Sequence, residues 1–130
     1  MKLQSSKIPI ASVSWEGDSW ETLKSWPREM QHDFGVALRE MQEGRRPTMD
    51  ARPMQSVGKG VFELKDADDA TWYRLLYLAR IDDVIYVLDC FTKNTRKTES
   101  NTLNKARARL SQVRLRIQER KKEAKGGRGK

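Results

Sequence analysis

Apolar and polar positions change their rhythm twice along the chain, and each change marks a change of element. Residues 8–15, IPIASVSW, read as a first strand, with Pro9 confining it to an edge or a strand start. Gly17 breaks that run, and Asp18 or Ser19 offers an N-cap for a short helix through about Lys24. Pro27 suits the first turn of a second helix, where its missing N–H would be unpaired anyway. Met30, Phe34, Ala37, Leu38 and Met41 follow at helical spacing and form one apolar stripe, with Gly44 placed to end it. RRPTMDARP then reads as a loop.

From about Met54 the period shortens. VFELK, TWYRLLYLAR and VIYVLDCFT are rich in branched and aromatic residues, and the breaks KDADDAT and IDD separate them. Successive strand side chains point to opposite faces. Parity therefore groups Phe62 and Leu64 with Tyr73, Leu75 and Tyr77, and with Val84, Tyr86, Leu88 and Cys90, as a core under the two helices. The other face carries Lys65, Trp72, Arg74, Asp89, Phe91 and Lys93. A helical rhythm returns at Leu103, Ala106, Leu110, Val113 and Ile117, with Thr98 and Glu99 marking its start. The expected fold is α+β, in the order β-α-α-β-β-β-α: a small antiparallel sheet packed by two N-terminal helices, then a basic C-terminal helix. Residues 1–123 form a single domain in this reading, and 124–130 a disordered basic tail.

Charge adds a direction to this frame. Residues 93–130 hold 14 Lys and Arg against 3 Asp and Glu, whereas residues 1–92 hold 12 against 15. A concentration of this kind favours a polyanion or an acidic protein. No apolar run is long enough for a membrane span, so no membrane partner is expected. The single cysteine permits no internal disulfide, which points to the cytoplasm.

A sheet face that collects cations from three strands suits a phosphodiester, which makes RNA the first substrate to consider. Arg74 sits mid-strand in WYRLLY, where a guanidinium either faces a functional cleft or snorkels at an edge. Lys65 and Lys93 lie near strand ends, where solvated edge protection is the alternative to phosphate contact. Arg96 and Lys97 in KNTRKT can touch phosphates without specificity, or merely precede a helix. Trp72 can stack on a base or lie beneath the last helix. Asp89 is placed to pair with Arg74 or Lys93. His32, the only histidine, lies off the apolar stripe and reads as solvated; Cys90 reads as a core residue. Asp66, Asp68 and Asp69 lack the glycine and distal glutamate of a calcium loop and read as a turn. No metal site and no cofactor are expected.

The segments WPREMQHDFGVALREMQEG, ARPMQSVGKGVFELK and YRLLYLARIDDVIYVLDCFTKNTRKT, followed by a helix containing LNKARARL, occur in an order that resembles the RelE/HigB-like toxins of bacterial toxin–antitoxin systems, in their phage-derived branch. The resemblance covers about residues 15–115. It implies a ribosome-dependent mRNA endoribonuclease in which the 2′-hydroxyl attacks the adjacent phosphate without a metal. Its partners would be mRNA on the ribosome and a cognate helix-turn-helix antitoxin. The family's basic positions fall on Lys65, Arg74 and Lys93. Two positions depart from the pattern: Asn94 stands where a second lysine is usual, and Asp89 where histidine is common. A non-catalytic RNA- or ribosome-binding protein, or an antitoxin-binding module on the same fold, is the alternative.

Overall fold

The structure, a computed structural model, describes residues 9–93 and 99–128. Its elements are β1 (Ser12–Trp15), α1 (Ser19–Lys24), α2 (Arg28–Gln42), β2 (Asp50–Pro53), β3 (Val61–Ala67), β4 (Trp72–Ile81), β5 (Val84–Lys93) and α3 (Ser100–Arg128). The strands form one sheet in the order β1-β5-β4-β3-β2. β2, β3, β4 and β5 pair antiparallel in succession, while β1 runs parallel to β5. The α+β class and the element order expected from the sequence hold, with two refinements. The sheet is mixed, and DARP adds a strand where a loop was expected. Pro53 is accommodated because β2 is an edge and needs no donor on its outer side.

Local chemistry explains most boundaries. Pro27 caps α2, and Met30, Phe34, Ala37 and Leu38 are its buried stripe. Gly44 terminates it at φ 81°, a left-handed conformation that glycine adopts freely. At the β3–β4 turn, Asp68 accepts the N–H groups of Ala70 and Thr71 and the hydroxyl of Tyr73, so this acidic loop is a self-capped turn. Asp82 and Asp83 both take positive φ, 51° and 63°, and close a two-residue hairpin of the type whose twist matches its strands.

Two apolar layers sandwich the sheet. Leu23, Trp26, Phe34 and Leu38 from α1 and α2, with the loop between them, pack on Leu64, Tyr73, Leu75, Tyr77, Val87 and Cys90. Trp26 meets Phe34 and Tyr73 edge-on at 5.0 and 5.2 Å. On the opposite face, Ala106, Leu110 and Val113 of α3 pack on Val61, Leu76, Leu78, Tyr86 and Leu88.

The placement of Val84, Tyr86 and Leu88 corrects simple strand parity. Leu76 pairs with Asp89 and Tyr77 with Val87, leaving Leu88 as an extra residue. This bulge reverses the alternation. Val84, Tyr86 and Leu88 therefore lie under α3, and Cys90 alone of that set lies under the N-terminal helices. The C-terminus departs too. α3 continues to Arg128, into the stretch read as a disordered tail. Residues 118–125 are mostly strong helix formers, and extending a formed helix requires no new nucleation.

Candidate nucleic-acid interface

Sheet register brings the predicted residues together on the α3 side. Lys65 lies opposite Arg74, and Arg74 opposite Phe91; one rung along, Trp72 lies opposite Lys93. A third rung sets Glu63 beside Leu76 and Leu76 beside Asp89. Lys65, Arg74 and Lys93 thus come from three adjacent strands and occupy two neighbouring rungs of one face.

Their environments differ sharply. The Arg74 side chain is 4% exposed and pairs through Nη1 with Glu63 Oε2 at 3.3 Å. It neither lines an open cleft nor snorkels at an edge. Burial pushes the Glu63 carboxyl above its ordinary range, against the opposing pull of Arg74 and Lys65. Lys65 is half-buried, with Nζ 5.2 Å from the centre of the Trp72 ring. Trp72 is itself half-buried and lies outside the apolar cluster beneath α3. The Lys93 side chain, 12% exposed, pairs with Glu99 just ahead of α3. Arg96, Lys97, Asn94 and the helix start expected at Thr98 lie outside the described residues.

Asp89 takes a different partner from either expected one. It is fully buried, and its carboxylate meets Arg109 at 3.1 Å and Lys105 at 3.6 Å, both on α3. Arg109 also holds Asp18 at 2.9 Å and the Leu88 carbonyl at 2.9 Å. Asp89 therefore anchors the last helix and presents no surface to RNA. The reason is its rung: Asp89 lies opposite Leu76, on the part of the face that α3 covers. Burial raises its proton affinity, while Lys105 and Arg109 oppose that rise.

Sequence reasoning passed over two residues of this region. Glu63 stands two positions before Lys65, so alternation alone puts it on the cationic face. Arg109 belongs to a helix whose arginines read as a polyanion patch, yet many of them turn inward. Arg107 donates to the Ser56 carbonyl, Arg114 to the Lys59 carbonyl, Arg116 pairs with Glu16, and Arg120 donates to the Tyr86 hydroxyl. Elsewhere, His32 is exposed at a cleft of about 480 Å³ beside Asp33, Val36, Glu40, Asp50 and Lys65. Cys90 is buried and its thiol pushed well up by desolvation, as a core residue's should be. Among the described residues, no cluster of three or more His, Cys, Asp or Glu can hold a metal ion, and no helix is long and apolar enough to cross a membrane.

Of the three cations on these rungs, Arg74 and Lys93 are paired with Glu63 and Glu99, and Lys65 is half-buried against Trp72. Among curated proteins, none matches the chain. Residues 21–111 match the family described as phage-derived protein Gp49-like (DUF891). That span covers well over half of the 130 residues and includes most of α1, all of α2, every strand from β2 to β5 and the docked start of α3. The chain belongs to the Gp49-like family, a RelE/HigB-like toxin-type family.

Proposed function

We propose that this chain is the toxin of a toxin–antitoxin pair and that it cleaves mRNA on the ribosome. The observation that carries the reading is the convergence of Lys65, Arg74 and Lys93 on one face of the sheet, in a chain of a toxin-type family. In this mechanism the RNA 2′-oxygen attacks the adjacent phosphorus and the bond to the 5′-oxygen breaks. A cyclic phosphate and a 5′-hydroxyl result. The 2′-hydroxyl gives up its proton and the leaving 5′-oxygen takes one. Arg74, oriented by Glu63, and the flanking Lys65 and Lys93 stabilise the charge that builds on the phosphoryl oxygens. Lys65 or Lys93 acts as the acid or base on this face. Trp72, whose face already holds Lys65, is the platform for a base. Arg96 and Lys97 add phosphate contacts. A helix-turn-helix antitoxin is the protein partner, and the cytoplasm the site of action.

Expression of the wild-type chain and of Lys65→Ala, with mapping of mRNA 5′ ends, tests the proposal. New ends in a fixed codon phase, present with the wild type and absent with the variant, are expected. Asp89 favours one alternative. Because it is locked to Arg109 and Lys105, it supplies no proton carrier at a position where the resembling toxins often have histidine. A non-catalytic ribosome binder would arrest growth with no new ends. Co-expression with the product of the adjacent reading frame tests the antitoxin: the two should purify as one complex, and separate elution at micromolar concentration would count against it.

A further inference from the structure

The cations of α3 divide into two groups. Those from Lys105 to Arg120 are held by the body of the protein through the contacts above. Past Arg120, Lys121, Lys122 and Lys125 are exposed and make no hydrogen bond or ion pair among the described residues. Ile117 is the last residue of the helix packed on the sheet. Residues 118–128 therefore continue for about 16 Å at 1.5 Å per residue, without a packed apolar side chain. At 100° per residue, Lys121, Lys122 and Lys125 fall within an arc of about 100°, and Glu119 and Glu123 share the opposite side.

We propose that these turns are an arm that binds the phosphate backbone of double-helical RNA, separately from the cleavage face. The proposal rests on the reading that the chain works on RNA. Three features select this occupant. Residues 118–130 hold six Lys and Arg against two Glu, and on the helix Lys121, Lys122 and Lys125 lie on a different side from Glu119 and Glu123. They include no aromatic residue, so there is no stacking platform of the kind that holds single strands. Ala124 is the only apolar side chain in 118–125, so a protein partner would find no anchor to bury. Lysines acting as point charges need neither, and a duplex of RNA is recognised through its backbone and shape.

The test compares the full chain with the triple variant Lys121→Gln, Lys122→Gln, Lys125→Gln on a short blunt RNA duplex over a range of salt. The variant should bind about tenfold or more weakly at moderate salt, and the slope of log affinity against log salt should shrink by about two to three. Its thermal unfolding should match the wild type. Equal affinity and slope in wild type and triple variant would overturn the arm, as would loss in the variant of an acidic protein partner while duplex binding stays unchanged. Duplex binding that the wild type shows and the triple variant loses supports the arm even in a chain that cuts no mRNA, so the two readings fail separately.

Discussion

Arg74 and Glu63 are 4% and 5% exposed in their side chains, and that burial changes what a substitution here reports. Removing one member of a buried pair strands the other charge, so Arg74→Ala should lose about 3–5 kcal/mol of stability. Loss of toxicity in that variant would then report folding as much as chemistry. Replacing both residues by apolar side chains of similar size is close to neutral or stabilising in comparable pairs. The double variant Glu63→Leu, Arg74→Met should therefore unfold in urea near the wild-type midpoint while producing no new mRNA ends. Continued cleavage by the double variant would remove Arg74 from the mechanism. The rungs that hold Lys65, Arg74 and Lys93 were legible from alternation alone, because β3 and β4 carry no bulge between those positions. Burial was not legible, since it arises from Glu63 and from a helix that begins more than twenty residues downstream.

The attachment of α3 shows where element-level reasoning from the sequence ends. Its stripe from Leu103 to Ile117 was plain, but the face it covers depends on the extra residue at Leu88, which no local pattern announces. The parallel pairing of β1 with β5 is equally long-range. Besides the apolar seam of Ala106, Leu110 and Val113, arginine contacts centred on Arg109, which lies between Asp18 and Asp89, hold the helix. The hydrogen bond from Arg109 holds the Asp18 carboxyl below its ordinary value of 3.8. A depressed carboxylate contributes stability above its unfolded value and loses it as pH falls. Asp18→Asn should therefore flatten the acid limb of a melting-temperature profile from about pH 4 downward; a profile parallel to wild type would show that the contact contributes nothing. Asp89→Ala removes a charged hydrogen bond and should lose about 1.5–3 kcal/mol by chemical denaturation. Gly58 supplies an independent check. A Cβ there would lie 2.4 Å from Leu110 Cδ2, which is buried. Gly58→Ala should lose about 1–3 kcal/mol through overpacking.

For the whole molecule, the uneven charge was the most visible property of the sequence and the one whose meaning changed most. Residues 93–130 carry a large positive excess, but most of the cations between Lys105 and Arg120 close the fold. The projecting turns carry Lys121, Lys122 and Lys125, which are exposed and make no ion pair among the described residues. The fold and the arm should then be separable. Lys121, Lys122 and Lys125 touch nothing in the core, and surface changes of this kind move stability by no more than about 0.5 kcal/mol. A chain ending at Arg120 keeps the bond to Tyr86 and should melt within about 2–3 °C of full length. If the chain cleaves mRNA as proposed, codon-phased ends should still appear at high expression, while its hold on ribosomes weakens and loses salt sensitivity. Ending the chain before Arg109 removes the contacts to Asp18 and Asp89 and the apolar seam at Leu110 and Val113, and no folded product is expected. A truncation at Arg120 that lowers the melting temperature by ten degrees or more would mean that the last turns belong to the fold, and the polyanion arm would lose its structural basis.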